Sequence, residues 1–174
     1  TSTATCALMA NAIPVFADIC DDDYNIDPED ILKKISPLSK VIIPVHLFGN
    51  SAKMNQIIKI AKENNLKVIE DCAQSPGALY QGRKVGTIGD CGILSFTENK
   101  NITSGEGGML ITDNEEIAHI SRLVRNHGEA IIAGQPRSYN SSILGWNYRM
   151  TEVDAAIGIE QFKKLDYFNT ERIK

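Results

Sequence analysis

The sequence lacks the features that mark several classes of protein. No apolar run approaches the roughly 18 residues of a membrane span, and the start, TSTATCALMANA, lacks the basic residues of a signal peptide. Basic residues are scattered and the formal net charge is −4, so nothing indicates a nucleic-acid partner or an anionic membrane. We expect a cytoplasmic protein that acts on a small molecule.

Cysteine is present without any paired spacing. Cys6, Cys20, Cys72 and Cys91 stand alone, with no C-x-x-C pair and no Cys/His spacing typical of a metal site. Three of them lie within apolar runs that are typical of a core. We therefore predict reduced thiols and no metal site.

The apolar residues predict an α/β fold. The 174 residues, 43% of them apolar, are enough for one core. Short apolar segments at 13–19, 40–48 and 66–71 indicate buried strands, and they alternate with amphipathic helices that begin at Asp27-Pro28 and Ser51. This order predicts a mostly parallel central sheet with helices on both faces.

The second half of the chain changes pattern. Gln81-Gly82 lies between two strand-like segments and favours a hairpin. Strands are predicted at 91–96 and 108–113, followed by a helix that Asn114 caps and Gly128 closes. The polar residues 129–143 predict a long loop, which is typical of a flap or an interface arm.

Both ends of the sequence lie within helical patterns. The first residues have helical spacing without a start signal, and EVDAAIGIEQFKKLDYFNTERIK predicts one amphipathic helix that continues to the last residue. The sequence is therefore expected to be a piece of a longer protein.

The segment SFTENKNITSGEGGM (95–109) holds the candidate reactive residue, Lys100. In open α/β sheets, ligands gather at the carboxyl ends of the strands, where Asp71, Ser95 and Lys100 are all predicted to lie. A lysine amine can form a covalent bond with a carbonyl cofactor such as pyridoxal phosphate. Such a cofactor also needs a carboxylate at its ring nitrogen and donors for its phosphate, which Asp71 and Ser95 supply, while Gln74 is in reach of the ring oxygen.

Each of these residues also has a simpler interpretation. A lone loop lysine is usually solvated, an aspartate at a strand end is often a cap, and G-E-G-G is a common tight turn. The spacing of the residues alone leaves these alternatives open.

Five ordered blocks of the sequence resemble the DegT-type nucleotide-sugar aminotransferases, a branch of the fold-type-I pyridoxal phosphate enzymes. They are V-I-E-D-C-A-Q-S-P-G-A (68–78), G-R-K-V-G-T-I-G-D (82–90), S-F-T-E-N-K-N-I-T-S-G-E-G-G-M (95–109), R-N-H-G (125–128) and G-W-N-Y-R-M-T-E-V-D-A-A-I-G (145–158). The resemblance covers nearly the whole chain.

The resemblance implies a role for each matched residue. Lys100 would carry the cofactor covalently and later move the proton between substrate and cofactor. Asp71 would pair with the pyridine nitrogen, Gln74 with the ring hydroxyl and Ser95 with the phosphate. Asn147 would reach the phosphate of the neighbouring subunit's cofactor, because the family builds each site across a homodimer.

The sequence also departs from the family pattern. Thr97 stands where many members have a histidine, and the aromatic residue that covers the cofactor ring would lie just before Thr1. An earlier phosphate-binding turn and the C-terminal small domain have no counterpart. Residues 1–174 are therefore expected to be part of the large cofactor domain, with a connecting helix that begins at about 151–174.

The resemblance implies transfer of an amino group, from glutamate, to a keto-sugar linked to a nucleotide, as in polysaccharide biosynthesis. Two rival functions remain: a related pyridoxal-phosphate-dependent sugar dehydratase, which has a histidine in place of the lysine, and a non-catalytic or incomplete relative. His46 and His127 match the family and are interpreted equally well as structural or catalytic residues. Arg149 either fixes its loop or contacts the substrate.

Overall fold

The computed structural model describes residues 1–174 and has six α-helices, one 3-10 helix and six strands. In chain order they are α1 (Ser2–Met9), α2 (Pro28–Lys34), β1 (Val41–Ile42), the 3-10 helix (Leu47–Gly49), α3 (Met54–Glu63), β2 (Lys67–Asp71), β3 (Leu79–Tyr80), β4 (Arg83–Lys84), β5 (Cys91–Ser95), β6 (Gly108–Ile111), α4 (Glu115–Arg125), α5 (Glu152–Phe162) and α6 (Leu165–Ile173).

The central sheet has the strand order β1-β2-β5-β6. β1 with β2 and β2 with β5 pair in parallel, whereas β5 and β6 are antiparallel. β3 and β4 form a separate hairpin, in which Gln81 and Gly82 both have positive φ, as a tight two-residue turn requires. The predicted α/β fold with a mostly parallel sheet is confirmed.

The buried apolar residues form two clusters. The larger one includes Met54 and Ile57 of α3 and Val68 of β2. The smaller one joins the segment after β5 to α6 through Phe96 and Ile102, which pack with Leu165. The second cluster matters for function because it lies beside the loop that contains Lys100.

Capping residues define two of the helices as predicted. The Asp27 carboxylate accepts a hydrogen bond from the Glu29 amide at 2.9 Å, and Pro28 occupies the first turn of α2. At α4, Asn114 Oδ1 accepts from the amides of residues 116 and 117. Both signals were local, so they could be identified without knowledge of the tertiary fold.

The strand prediction for residues 13–19 was wrong. These residues contain no strand, and the side chains of Ile13 and Phe16 are 87% and 74% exposed. Strand propensity depends on a neighbouring strand and a packed face. This segment has neither, apart from a single bridge between Ile19 and Ile26.

The predicted strand at 40–48 is much shorter in the structure. β1 covers only Val41–Ile42, and Pro44 follows, which has no N–H to donate to a neighbouring strand. Val45 makes one parallel bridge to Asp71 before the 3-10 helix begins. The proline therefore converts the end of the predicted strand into a turn.

The predicted single helix over residues 151–174 is two helices. α5 ends at Phe162 and α6 begins at Leu165, with Lys163 and Lys164 between them. α3 also begins later than predicted, at Met54 instead of Ser51. The reason is that the Ala52 amide donates to His46 Nδ1 and so belongs to the preceding turn.

All four cysteines are free, as predicted. Cys72 and Cys91 are buried, Cys20 is half-buried and Cys6 is exposed. Burial raises the pKa of the Cys72 thiol to about 12. None of the helices combines the length and the apolar character that crossing a bilayer requires.

Candidate active site

Three of the predicted site residues follow neighbouring parallel strands. Asp71 is the last residue of β2 and Ser95 is the last residue of β5, and Asp71 is paired with Ile93 in the ladder. Lys100 follows in a turn, where its amide donates to the Thr97 carbonyl at 3.1 Å. Parallel strands place their carboxyl ends at one edge of a sheet, so these residues share that edge.

The Asp71 carboxylate is buried and held by two donors. Its residue is 6% exposed. Oδ1 accepts from the Ala73 amide at 3.1 Å and Oδ2 accepts from the Thr3 hydroxyl at 2.8 Å. An ionised carboxylate offers about four lone-pair directions, so the group retains acceptor capacity for a cationic ligand.

The Gln74 side chain is exposed and its amide has a defined orientation. Its Oε1 accepts from the Phe48 amide at 3.1 Å, which leaves the two N–H bonds of Nε2 for a ligand. Phe48 has φ 54° and ψ 25°, a left-handed conformation that a bulky residue rarely adopts. The strained turn at 47–49 is therefore what delivers the amide that orients Gln74.

Lys100 is half-buried and its Nζ has no hydrogen-bond or ion-pair partner in the chain. Ser95 Oγ accepts only a long bond, 3.5 Å, from the Thr97 amide. The Thr97 hydroxyl donates to the Glu106 carboxylate at 3.0 Å and so joins the two arms of this loop. The amine and the serine hydroxyl are both available to a ligand.

The glycine-rich turn after Lys100 requires glycine at residue 107. Gly107 has φ 154°, and a Cβ there would lie 2.7 Å from both Met150 Cε and Ser104 Oγ. The Ser104 hydroxyl in turn donates to the Glu106 carbonyl at 2.8 Å. The turn is thus a packed structure that returns the chain to β6.

An asparagine of α6 joins the two loops of the site. Asn169 Nδ2 donates to the Pro76 carbonyl at 2.8 Å, and its Oδ1 accepts from Asn101 Nδ2 at 2.9 Å. Asn101 is adjacent to Lys100, and Pro76 lies two residues after Gln74. This side chain therefore brings the segment after β2 and the Lys100 loop together on one side of the molecule.

Glu70, which precedes Asp71 in β2, is a fully buried carboxylate. It accepts four hydrogen bonds, from His46 Nε2 (3.0 Å) and from the amides of Gly86 (2.8 Å), Ile88 (2.6 Å) and Gly89 (2.7 Å). Burial alone raises the pKa of Glu70, but the hydrogen bonds from His46 and the three amides outweigh burial and lower it. Glu70 thus fixes the turn at 86–89 against β2.

His46 is structural. It is 0% exposed, so it cannot contact a substrate. Its Nδ1 accepts from the Ala52 amide at 3.1 Å, which requires the neutral tautomer with the proton on Nε2, donated to Glu70. His46, Glu70 and Cys72 lie close enough to suggest a metal site, yet both ring nitrogens and both carboxylate oxygens are already used in hydrogen bonds.

Asn147 pairs with the residue that follows α4, and no contact joins it to the other predicted residues. It is exposed, and it forms a bridge with Asn126. Asn126 is buried and its Oδ1 accepts from Arg149 Nη1 at 2.9 Å, which gives Arg149 a role in fixing this loop. His127 is exposed, has φ 58° and joins the same segment through its amide, which donates to the Trp146 carbonyl.

One open groove of the structure is not this site. It has a volume of about 1190 Å³ and lies between β6 and α4, with Asp90, Arg122 and Tyr148 on its walls. None of Asp71, Gln74, Ser95 and Lys100 lines it. We identify the site by its chemical groups, because a carboxylate, an amide, a hydroxyl and an amine all lie at or just after the carboxyl ends of the paired parallel strands β2 and β5.

These groups fit pyridoxal phosphate. The ring nitrogen needs an acceptor with a free lone pair (Asp71), the ring hydroxyl needs a donor (Gln74 Nε2), and the carbonyl needs an amine without a competing partner (Lys100). These three residues are the ones that the sequence predicted, and their roles stay predictions. The prediction did not include Thr3, Phe48, Glu70 or Asn169. The E-D pair at 70–71 and the H-L-F-G turn were the only local signals for any of the four.

Sequence comparison matches the whole chain to one family. The model of the "DegT/DnrJ/EryC1/StrS aminotransferase family" covers residues 1–174. The chain is 41% identical over 165 residues to GDP-perosamine synthase of Caulobacter vibrioides. This alignment covers 95% of this chain and 43% of that protein. It is 40% identical over 172 residues to UDP-N-acetyl-3-dehydro-alpha-D-glucosamine 3-aminotransferase of Acidithiobacillus ferrooxidans, over 98% of this chain and 45% of that one.

Several solved structures have a fold similar to that of this chain. An aminotransferase from Psychrobacter cryohalolentis has a TM-score of 0.89 at 36% identity, covering 95% of this chain and 44% of that one. A Bacillus subtilis protein with bound cofactor PMP has a TM-score of 0.84 at 35% identity (95% and 37%). A GDP-4-keto-6-deoxymannose-3-dehydratase variant with bound GDP-perosamine has a TM-score of 0.85 at 32% identity (95% and 46%).

The chain spans less than half the length of each of these proteins. The family match nevertheless extends over all of its residues, and the matched segments include the sheet edge that holds Lys100 and Asp71. The chain therefore belongs to the DegT/DnrJ/EryC1/StrS aminotransferase family.

Proposed function

We propose that the protein containing this chain is a pyridoxal-phosphate-dependent aminotransferase, which moves an amino group from an amino acid, glutamate, to a keto-sugar linked to a nucleotide. The observation that carries the proposal is the unpartnered amine of Lys100 at the same sheet edge as the buried Asp71 carboxylate. The curated relatives named above support the substrate class, because their names refer to nucleotide-linked sugars.

Each residue of the site has one task in this proposal. Lys100 would hold the cofactor through its amine and would move the proton at the substrate carbon. Asp71 would accept from the ring nitrogen, Gln74 Nε2 would donate to the ring hydroxyl, and Ser95 Oγ would donate to the phosphate. When bound, pyridoxal phosphate supplies an electron sink for the carbon that loses a proton.

The proposed assembly is a homodimer with shared active sites. Asn147 is exposed and not near the other site residues in sequence, and a phosphate contact to the neighbouring subunit's cofactor gives it a task. The loop at 129–143 has exposed apolar side chains, among them Ile131 and Ile132 at 69% and 56%, which suit an interface. We place residues 1–174 in a partial large domain, with α5 and α6 as the start of a connection, and the protein in the cytoplasm.

Two rival functions differ in what they predict for the lysine. In the related dehydratase a histidine takes its place, whereas this chain has Lys100. A non-catalytic relative needs no free amine at this position. The unpartnered Nζ of Lys100 therefore favours transfer over both rivals.

The test is a transfer assay with the full-length protein, pyridoxal phosphate, 15N-glutamate and a nucleotide-linked keto-sugar. We expect 15N in the sugar product for the wild type and for Lys84→Arg, a matched change at an exposed strand lysine, and none for Lys100→Arg. Loss of water from the sugar without 15N uptake would identify a dehydratase. A folded protein with no product of either kind would support the non-catalytic alternative.

A further inference from the structure

Thr3 contacts the carboxylate at the centre of the proposed site. Its hydroxyl donates to Asp71 Oδ2 at 2.8 Å across a separation of 68 residues. Thr3 lies in the first turn of α1, where the amide dipoles of the helix also favour a negative charge. Thr3 was given no role in the function proposed above.

The bond is specific to this side chain. Thr5, two residues further along α1, donates instead to the carbonyl of Ser2 at 3.1 Å. α1 has no buried residue, so packing does not explain why Thr3 is half-buried against β2. The hydroxyl of Thr3 is therefore the polar link between α1 and the candidate active site.

We infer that Thr3 is a positioning residue that holds the Asp71 carboxylate oriented for the cofactor ring nitrogen, an inference that rests on the function proposed above. The Ala73 amide takes one direction of Oδ1 and Thr3 takes one direction of Oδ2. Together they fix the plane of the carboxylate. The remaining lone pairs of the carboxylate would then always be presented to the ring nitrogen in the same orientation.

The orientation of the carboxylate also affects the charge of a bound cofactor ring. A fixed carboxylate would hold a proton on the ring nitrogen through a charge-assisted hydrogen bond. Without the Thr3 donor this contact would weaken and the ring would become less positive. The covalent link to Lys100 would then lose a neighbouring positive charge and would keep its proton to a higher pH.

The test compares Thr3→Val, which is nearly isosteric and has no hydroxyl, with Thr3→Ser, which retains the donor. The full-length protein is loaded with pyridoxal phosphate, and the visible absorbance of the covalently bound cofactor is followed against pH. We expect the midpoint to move upward by about one pH unit in Thr3→Val, from the loss of one hydrogen bond to a charged group. Thr3→Ser and the matched control Thr5→Val should titrate as the wild type.

Comparison with Thr3→Ser and Thr5→Val separates positioning from a purely structural role, because Thr3→Ser keeps the donor and Thr5→Val alters the same helix without touching Asp71. Thr3→Ala serves as a second variant if Thr3→Val unfolds, with the same upward shift expected, and circular dichroism checks the fold of each. An unchanged midpoint in the folded variant would overturn the role of Thr3 alone. A wild-type protein that develops no cofactor band would overturn the proposed function, and the role of Thr3 with it.

Discussion

Replacing Glu70 by glutamine tests whether the buried carboxylate holds the turn at 86–89 against β2. Each carboxylate oxygen accepts two hydrogen bonds: Oε1 from Ile88 and Gly89, and Oε2 from Gly86 and His46. Glutamine keeps the shape but has one acceptor oxygen. Whichever way its amide points, the NH2 group faces two donors and leaves them unpaired.

The expected cost follows from those two donors. A buried donor without a partner costs about 1–3 kcal/mol, so Glu70→Gln should lower the free energy of unfolding by about 2–6 kcal/mol. Removing the charge also relieves the desolvation of the carboxylate, which works in the opposite direction. The lowered pKa of Glu70 shows that its hydrogen bonds outweigh burial, so we expect net destabilisation.

Urea denaturation measures the global effect, and hydrogen exchange of the peptide that spans residues 85–90 measures the local one. We expect faster exchange in that peptide, because three of the four donors are its amides. Glu63→Gln is the matched control, since Glu63 is an exposed residue of α3 whose only ion pair is 3.9 Å long. A loss below 0.5 kcal/mol with unchanged exchange, similar to the control, would refute the reasoning.

The same pair of variants predicts a pH dependence. Because the pKa of Glu70 is lower in the folded protein than the ordinary value of 4.5, its stabilisation is complete above that value. It is lost as the pH falls through the depressed folded pKa. The stability difference between wild type and Glu70→Gln should therefore be constant from pH 7 to 5 and shrink in more acidic solution. A difference that grows on acidification would contradict the assignment.

Three further outcomes are expected. In Gly92→Ala, the new Cβ would overlap the backbone of Gly86, so stability should fall by about 1–3 kcal/mol or more in a thermal melt; an unchanged melting temperature would show that the strand can move. Iodoacetamide at pH 8 should label the exposed Cys6 and spare the buried Cys72 until unfolding, as read by peptide mass spectrometry; early labelling of both would be inconsistent with this packing. Asn169→Leu removes the two hydrogen bonds that join α6 to the site loops, so the free energy of cofactor binding, measured by titration, should weaken by about 1–3 kcal/mol. An unchanged affinity would show that Asn169 has only a scaffold role.

The sequence predicted the features that depend on local chemistry. The cap at Asn114, the hairpin turn at Gln81-Gly82 and the strands that end at Asp71 and Ser95 were all identified, because short-range residue patterns determine them. Residues 13–19 were assigned wrongly, since a strand also needs a partner that no local pattern reveals.

The candidate site shows the same division between local and long-range features. Lys100 and Asp71 were predicted from motif positions, and their roles stay predictions. The contacts of Thr3 with Asp71 and of Asn169 with Asn101 each join residues 68 positions apart, so only the folded chain brings them together. Glu70 was overlooked because a charged residue within a strand is usually exposed, whereas here its four donors make burial favourable.

The most direct test of the central claim is borohydride reduction of the full-length protein loaded with pyridoxal phosphate, followed by peptide mass spectrometry. We expect a reduced pyridoxyl group on the peptide that contains residues 95–109, attached at Lys100, and loss of the visible absorbance band. A cofactor fixed at a different lysine, or a folded protein that takes up none, would contradict the assignment of Lys100 as the residue that holds the cofactor.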